Sequence, residues 1–302
     1  MGRAVLAENG RERYKVSPMP HTLLKISCPD RVGLLARLTN FVASHGGNLL
    51  EVNQFTDLDG KWFFARMAID TQSLALETPA LGKAFTPLAG DLGAEWSIRQ
   101  SNEQMRVVIM VSKIDHCLMD LLWRWRSGEL PIEIPLVVSN HESLREVVER
   151  EGIPFTCIPI APENKADAFA QIDAKCREVR ADLLVLARYM QVLPAAMCDA
   201  WQGRVINIHH SFLPSFAGAN PYKRAHERGV KLIGATCHYA TADLDAGPII
   251  DQEVVRVEHF HSPEDMLRLG RDCERLALAR GVRYHVEDRV LIHGNRSIVF
   301  RD

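Results

Sequence analysis

The spacing of hydrophobic positions alternates between two periods along the first third of the chain. Runs rich in β-branched and aromatic residues are separated by stretches in which apolar residues recur every three or four positions. The pair Asp59-Gly60 lies between two of the β-type runs and favours a hairpin turn. In chain order, the predicted elements are a strand at 22–28, a helix over 34–42, strands at 49–57 and 61–70, a weak helix at 78–93 and a strand at 94–100. This βαββαβ order predicts a ferredoxin-like domain, with helices on one face of an antiparallel sheet.

The first helix has a predicted start and a predicted end. Asp30 stands just before the apolar repeat, where its side chain is expected to cap the helix, and Gly46-Gly47 is expected to stop it. Residues 1–19 are polar and aperiodic, which predicts a loose tail.

After the polar link at 101–104 the pattern changes to continuous apolar strands separated by helical stretches. Strands of this kind are typical of a parallel sheet covered on both faces, so a Rossmann-like, mostly parallel α/β fold is predicted. The predicted strands lie at 106–112, 132–140, 154–160, 182–189 and 205–210. We therefore divide the chain into domains at 20–100 and 105–302. Two short strands around residues 293–295 are expected at the sheet edge, with no chemical role.

Composition narrows the possible functions. The 302 residues are 47% hydrophobic and 25% charged, with a net charge of -2, so no overall field favours nucleic acid or an anionic membrane. No run approaches the roughly 18 apolar residues that a membrane span needs, and no signal-peptide core is found. Seven dispersed cysteines without a C-x-x-C pair indicate reduced thiols and a cytoplasmic protein.

Polar residues collect at the end of the strand at 205–210. Asn207 and His209 are two positions apart and point to one side, at the carboxyl edge where parallel sheets bind ligands. His238 lies on a further strand at 234–240, and Asp245 lies in a tight turn after it. An amide, an imidazole and a carboxylate together suit acyl-group chemistry, with an oxyanion donor and a proton acceptor. Taken singly, each residue is more simply a loop cap or a turn residue.

A zinc site is the alternative use of these side chains. His209, His210, His238 and Asp251 are possible ligands. Adjacent histidines on one strand point to opposite faces, and neither H-x-x-x-H nor H-E-x-x-H occurs. We predict no metal.

The block NIHHSFLPSF, followed by LDAGP, resembles the catalytic segment of the folate-dependent formyltransferase superfamily over about residues 105–285. The resemblance implies that Asn207, His209 and Asp245 are catalytic. It also implies that folate lies against LARYMQVLP. The residues implied in folate binding are Arg188, Tyr189, Met190, Gln191, Val192 and His238. Phe212, Phe216 and Tyr222 either close over the folate or pack the loop.

The segment CPDRVGLLARLTNFVASHGGNLLEVNQ resembles the start of an ACT domain, a module that often binds a small amino acid. The resemblance places an effector such as glycine or methionine at the loop Asp30, Arg31, Val32, Gly33 and Leu34. It also implies a homodimer or homotetramer. Regulatory binding and a purely structural role in assembly are both open.

The remaining possible activities differ in the molecule that accepts the formyl group. By the same resemblance, the glycinamide ribonucleotide enzymes hold a substrate phosphate on a glycine-rich turn after the first strand. This chain has MVSKIDHCLMDLLWR there, without glycine, although Lys113 and His116 could still bind an anion. Water is then the expected acceptor.

With its ACT segment and the pattern SKxxHCLxDLLWR, the chain resembles the formyltetrahydrofolate deformylase family over about residues 20–285. This resemblance implies hydrolysis of 10-formyltetrahydrofolate to tetrahydrofolate and formate, which feeds purine synthesis, without a prosthetic group. A formyltransferase acting on an amine and a catalytically silent amino-acid or folate sensor are the alternatives.

Overall fold

The computed structural model describes residues 20–213 and 221–301, which form two compact units. The amino-terminal unit comprises 20–104, 287–293 and 298–301, and the carboxyl-terminal unit comprises most of the remainder. The range predicted for the second domain, 105–302, differs from this division at its end. The predicted tail at 1–19 and the residues Pro214, Phe216 and Gly218 lie outside the described residues.

The amino-terminal unit is built on a four-stranded antiparallel sheet. Its elements are β1 (His21–Pro29), α1 (Leu34–Ser44), β2 (Leu49–Asp57), β3 (Trp62–Asp70), α2 (Thr78–Leu92) and β4 (Glu95–Gln100). The strand order is β2-β3-β1-β4, and each pair is antiparallel. Buried side chains of α1 and α2 share one core with the sheet, among them Leu38, Phe85 and Ile26. The predicted βαββαβ fold is confirmed.

The predicted cap of α1 is wrong. The helix begins at Leu34 and follows Gly33, whose φ of 84° is left-handed, and no side chain caps it. Asp30 instead remains at the end of β1, where its backbone N–H donates to Lys61 O at 2.8 Å. The turn at residues 32–33 lies between Asp30 and the first residue of the helix, and its left-handed backbone suits glycine. Asp30 is therefore kept away from the start of the helix. Gly46, with φ of 78°, follows the end of the helix as predicted.

The carboxyl-terminal unit contains a seven-stranded sheet in the order β11-β10-β9-β8-β5-β6-β7. Its strands are β5 (Met105–Val111), β6 (Ile132–Ser139), β7 (Phe155–Cys157), β8 (Leu183–Leu186), β9 (Val205–His209), β10 (Leu232–Tyr239) and β11 (Ile249–Arg256). Its helices are α3 (His116–Ser127), α4 (Arg145–Arg150), α5 (Lys165–Glu178), α6 (Ala195–Ala200), α7 (Pro221–Arg228) and α8 (Pro263–Val286). β10 is antiparallel to both neighbours, and the pairs from β9 to β7 are parallel.

Helices cover both faces of this sheet, as predicted. Phe169 of α5 and Met197 of α6 pack with Val108 and Leu184 in one buried cluster. On the other face α8 packs so closely that a Cβ at Gly281 would lie 2.3 Å from the Cys237 sulfur. The mostly parallel, two-sided α/β prediction is therefore confirmed.

The end of the chain differs from its prediction. The helix α8 extends to Val286, and two short strands follow it around residues 293–295 as predicted. The last strands, β12 (Val290–His293) and β13 (Arg296–Val299), form a separate two-stranded sheet instead of an edge of a larger one. Across the described ranges, no helix has both the length and the apolar character needed to cross a membrane.

Candidate active site

The pairing of β9 with β10 brings two predicted site residues face to face. Asn207 on β9 lies opposite His238 on β10, and His209 lies opposite Thr236. Because side chains alternate along a strand, Asn207, His209 and His238 point to one side of the sheet. Asn207 Nδ2 is 3.2 Å from His238 Nε2, across the strands.

A tight turn places the side chain of Asp245 beside His209 and His238. Asp245 has a left-handed backbone, with φ of 55°. Two residues later, a Cβ at Gly247 would lie 1.9 Å from Tyr239 O, so only glycine lets the chain pass this close. Tyr239 N–H donates to Pro248 O at 2.9 Å and fixes the turn against the end of β10. The carboxylate is thereby held beside two imidazoles.

Asp245 has one close and one more distant imidazole partner. Its Oδ2 lies 3.1 Å from His209 Nδ1, and its Oδ1 lies 3.6 Å from His238 Nε2. Hydrogen bonding to His209 is the largest influence on the pKa of Asp245 and holds it far below its usual range, although partial burial acts in the opposite direction. The side chain is ionised and still 25% exposed, so solvent reaches it.

The protonation of His238 follows from its neighbours. Its Nδ1 lies 2.9 Å from Tyr239 O, and because a carbonyl oxygen only accepts, this nitrogen carries a hydrogen. In the neutral ring Nε2 is then an acceptor and receives one N–H of Asn207. The amide of Asn207 has a second N–H, which can donate to a bound carbonyl oxygen. His238 is buried and orients Asn207 by this contact.

Ser211 completes a line of hydrogen-bonding groups. Its Oγ lies 2.7 Å from His209 Nε2, on the opposite side of the ring from Asp245. With Nδ1–H directed to the carboxylate, Nε2 of a neutral His209 is a proton acceptor. Ser211 was not predicted as a site residue, although a hydroxyl two positions after His209 was an available signal.

The segment implied in folate binding begins at a strained residue next to this site. Arg188 has φ of 63°, and the backbone N–H of Met190 donates to Ser112 Oγ at 2.9 Å. Ser112 is buried and donates in turn to Asn140 Oδ1 at 2.7 Å. The hydroxyl of Ser112 therefore fixes the path of the segment. This residue was also missed, because the contact joins positions 78 apart in sequence.

The side chains of this segment differ in what they can contact. Tyr189 is buried in the core, so it cannot reach a ligand, whereas Met190 and Val192 are more than half exposed. Gln191 is intermediate. Only the backbone of the segment and the side chains of residues 190–192 are open to a bound molecule.

A second polar cluster lies beside the first. Glu274 of α8 is buried, and its Oε2 lies 2.8 Å from His116 Nε2 and 3.3 Å from Arg188 Nε. Tyr222 of α7 places its hydroxyl 3.4 Å from Glu274 Oε1 and 3.3 Å from His210 O. We call His116, Arg188, Tyr222 and Glu274 the α8 cluster. Glu274 was not predicted as a site residue, because no helix was predicted at the position of α8.

The α8 cluster also bears on the metal question. Within the described parts of the chain, His116, Cys117 and Glu274 are the one set of three possible ligands close together. Burial, followed by the charge of Glu274, raises the pKa of the Cys117 thiol well above its ordinary value. A protonated thiol and the adjacent guanidinium of Arg188 both oppose a cation.

The predicted separation of the neighbouring histidines is wrong. The ring centroids of His209 and His210 are 5.1 Å apart, because β9 ends at His209 and strict alternation ends with it. Burial, and then the charge of Arg188, lower the pKa of His210 to about 4. His210 is therefore uncharged at neutral pH.

The three aromatic residues of the neighbouring loop have different positions. Phe212 is 43% exposed, and Phe216 lies outside the described residues. Tyr222 packs against α8, where a Cβ at Gly270 would lie 1.9 Å from its hydroxyl. Tyr222 therefore packs between helices.

The predicted effector loop lies in the amino-terminal unit, between β1 and α1. Asp30, Arg31, Val32 and Gly33 are exposed, whereas Leu34 is buried in the core and cannot contact a ligand. Arg31 donates to Asp91 O at 2.5 Å, beyond the middle of α2. A separate broad groove of about 720 Å³ lies between α2 and β4 and includes Lys83, Trp96 and Arg99.

Comparison with known proteins agrees with this architecture. The Formyl transferase family matches residues 105–282, and the ACT domain family matches residues 22–84. A formyltetrahydrofolate deformylase of Synechocystis is 49% identical over 92% of this chain and 97% of its own length.

Solved structures give the same result. The crystal structure of a formyltetrahydrofolate deformylase from Pseudomonas syringae is 50% identical, with a TM-score of 0.93 over 95% of this chain and 96% of that one. A glycinamide ribonucleotide transformylase from Symbiobacterium toebii is 29% identical, with a TM-score of 0.61 over 66% of this chain and 95% of that one.

The fold and these matches define an enzyme in which an ACT domain is joined to a formyltransferase-type catalytic domain. Within that class, the chain belongs to the formyltetrahydrofolate deformylase family.

Proposed function

We propose that the protein hydrolyses 10-formyltetrahydrofolate to tetrahydrofolate and formate. The observation that carries this proposal is the convergence of Asn207, His209 and Asp245 at one solvent-accessible edge of the sheet. Family membership supplies the substrate class, since the relatives carry formyltetrahydrofolate in their names. The site residues are proposed from their geometry together with the resemblance in sequence.

His209 is the proposed proton acceptor. Asp245 is a weak base because its pKa is held far below the ordinary range, whereas His209 Nε2 has a lone pair directed away from the carboxylate. Asp245 orients the ring and stabilises the imidazolium that forms when water gives up its proton. The oxygen of the water then bonds to the formyl carbon.

Asn207 is the proposed oxyanion donor. Its free N–H, together with protonated His209, stabilises the negative oxygen of the tetrahedral intermediate. Collapse breaks the bond between the formyl carbon and N10, and the proton held by His209 passes to the leaving nitrogen. Formate and tetrahydrofolate result, so no acyl-enzyme and no metal are required by this sequence of steps.

The folate is proposed to lie against residues 188–192. The backbone of this segment forms hydrogen bonds with the polar edge of the pterin, and the exposed side chains of Met190 and Val192 contact the face of its ring. Ser112 holds the segment in place through Met190 N–H. His238, first proposed as a folate contact, is better placed to orient Asn207.

The direct test is an assay without any amine acceptor. Purified protein is mixed with 10-formyltetrahydrofolate, and the absorbance change of the folate is followed together with formate. The proposal predicts equal amounts of formate and tetrahydrofolate. Turnover that appears only when an amine is added would identify a transferase, and folate binding without turnover would identify a sensor.

We further propose that the ACT domain binds a small amino acid, glycine or methionine, at residues 30–34. The exposed backbone around Val32 and Gly33 supports this position. Coupling of this kind is typically about 1–3 kcal/mol, or roughly 5–150-fold in affinity. Val32→Asp should weaken the response by repelling the effector carboxylate, whereas Lys83→Asp, in the separate groove, should not. If neither amino acid changes activity or melting temperature, the domain is structural.

Assembly through the ACT sheet is a related proposal. β2 is an edge strand, and Leu50, Val52 and Phe55 on it are 54%, 38% and 47% exposed. Apolar side chains on an unpaired edge favour pairing between subunits. Light scattering should give a multiple of the 34.0 kDa chain mass. Leu50→Lys should shift the measured mass toward that of one chain, and an unchanged mass would show that assembly does not use this edge.

The cellular role is proposed from the products. Formate released from the folate pool supplies purine synthesis and balances one-carbon folates. A cytoplasmic location fits the seven unpaired cysteines of the structure. Cells lacking the protein should accumulate 10-formyltetrahydrofolate and lose formate, as measured by mass spectrometry of extracts.

A further inference from the structure

A hydrogen-bonded line of three side chains crosses the candidate active site. Asp245 Oδ2 lies 3.1 Å from His209 Nδ1, and the other ring nitrogen, Nε2, lies 2.7 Å from Ser211 Oγ. The carboxylate accepts the hydrogen of Nδ1, so Nε2 of the neutral ring has one lone pair and no hydrogen. The hydroxyl of Ser211 therefore donates to Nε2. This order of carboxylate, imidazole and hydroxyl is the one with which serine hydrolases activate a hydroxyl group.

The contact with Ser211 bears on how His209 takes up a proton. A single lone pair accepts one hydrogen, and the serine already supplies it. A water molecule beside the formyl carbon therefore cannot donate to Nε2 while this contact holds. Either Ser211 moves away from the ring, or its hydroxyl lies on the path of the proton. Ser211 is partly exposed, and a hydroxyl that donates its hydrogen can accept one from water.

The neighbouring strands hold the backbone that carries Ser211. Thr236 on β10 lies opposite His209 and is fully buried. Its hydroxyl donates to Ser211 O at 3.0 Å and accepts from Leu213 N–H at 3.1 Å. Gln252 Nε2 on β11 donates to the same hydroxyl at 3.0 Å and to Leu213 O at 3.1 Å. One donated and two accepted hydrogen bonds use the full capacity of a hydroxyl. Ser211 is thus fixed beside the imidazole, which favours the path through its hydroxyl.

We propose that Ser211 is a catalytic residue that relays the proton of the attacking water to His209. This inference rests on the proposed hydrolysis. The hydroxyl proton of Ser211 passes to His209 Nε2, a proton of the water passes to Ser211 Oγ, and the water oxygen bonds to the formyl carbon. When the bond from that carbon to N10 breaks, Ser211 gives its proton to N10 and His209 returns one to Ser211. Formic acid leaves and ionises to formate, and both side chains end as they began.

The number of protons that move together tests the relay. Single turnovers with excess enzyme are measured in mixtures of H₂O and D₂O, and the rate constant is plotted against the fraction of deuterium. Two protons that move in one step give a curved plot, whereas one proton gives a straight line. The wild-type protein should give a curved plot, and Ser211→Ala should give a straight one.

The rates of matched variants provide a second measure. Ser211→Ala should lower the rate constant by about 10²-fold, the lower end of what proton transfer by a positioned side chain contributes. Its affinity for folate should stay within a few-fold of wild type, because Ser211 acts on the proton. Ser211→Thr keeps the hydroxyl and should recover most of the rate and the curved plot. Ser127→Ala is the control: it removes a hydroxyl bonded to Arg124 O in the same unit and should match the wild type.

A straight plot for the wild-type protein would overturn the inference without any variant. A rate constant for Ser211→Ala within threefold of wild type would also overturn it, as would a curved plot for that variant. A formyl group on the Ser211 peptide after an acid quench would show that the serine itself attacks the formyl carbon, and the relay would then be wrong. Absence of formate from the wild-type protein without amine would instead defeat the proposed function, so the two failures are distinguishable.

Discussion

Two aspartates, one in each compact unit, share a backbone conformation and differ in their partners. Asp245 and Asp288 both have φ of 55°, and both have a pKa lowered below the ordinary value. Asp288 pairs with Lys25 at 2.8 Å and with Arg99, and its side chain is 7% exposed. Asp245 pairs with two histidines and is 25% exposed.

The partners decide what each carboxylate can do. Lysine and arginine keep their protons at neutral pH, so the ion pairs of Asp288 with Lys25 and Arg99 exchange no proton. These ion pairs instead attach the segment that contains Asp288 to the amino-terminal sheet. Histidine takes up and releases a proton near neutral pH, and solvent reaches Asp245. A lowered pKa alone therefore does not identify a catalytic carboxylate. A titratable partner and access for water are needed as well.

Replacing Asp245 should have the largest effect. Asp245→Asn keeps the shape but no longer holds the Nδ1–H form of His209, so turnover should fall by about 10³–10⁴-fold. Folate binding, measured by fluorescence titration, should stay within a few-fold of wild type. Hydrolysis above a tenth of normal would remove Asp245 from the mechanism.

Replacing Asn207 should be the next largest change. Asn207→Ala removes one oxyanion donor, which typically costs about 10²–10³-fold in rate. Steady-state kinetics should show this loss in kcat with little change in KM, because the interaction forms in the transition state. A rise in KM with an unchanged kcat would instead show that Asn207 contributes to substrate binding.

Replacing Asp288 should affect stability and leave chemistry intact. Asp288→Asn leaves two partly buried cations without their buried counter-charge, which should lower the free energy of unfolding by at most about 3 kcal/mol. Denaturant unfolding measures this, and the folded variant should keep its kcat. Asp91→Asn, at the exposed pair with Arg37, is the control and should leave the melting temperature unchanged. Loss of kcat in folded Asp288→Asn would break the contrast between the two aspartates.

The smallest effect is expected from His210 and concerns pH. Its pKa falls from the ordinary 6.5 to about 4 in the folded state, where burial and Arg188 oppose its charge more than Glu274 and Asp245 favour it. The unfolded chain therefore binds more protons between these values, and stability decreases as pH falls from 6.5 to 4. The contribution of Asp288 persists over this window and is lost only below the ordinary carboxylate value of 3.8.

Melting temperatures measured from pH 7 to pH 4 test this. His210→Asn should flatten the decrease between pH 6.5 and 4. An unchanged slope would show that the pKa of His210 is not lowered in the folded protein.

Local patterns in the sequence were sufficient for most of the succession of strands along the chain and for the sheet edge at which Asn207 and His209 lie together. Asn207 and His209 share a face because side chains alternate along β9, which is a local property. Asp30 was assigned as a cap because its type suits that role, but the left-handed Gly33 decides where α1 begins. His210 was misplaced because the end of a strand depends on pairing with its neighbours.

Long-range contacts account for what was missed. Ser112 reaches Met190 across 78 positions, and Glu274 reaches His116 across 158. Neither partner can be identified from spacing, since only the folded sheet and α8 bring them together. Asp288 is a similar case, because its partners lie on β1 and β4.

Direct attack of water on the formyl carbon is the central step of the proposed mechanism, and one isotope experiment tests it. A single turnover with excess enzyme in ¹⁸O-water should give formate that carries one labelled oxygen, with no label in Asp245 when its peptide is examined by mass spectrometry. Label in the Asp245 carboxylate would show a covalent formyl-enzyme instead, and unlabelled formate from that turnover would contradict direct attack by water.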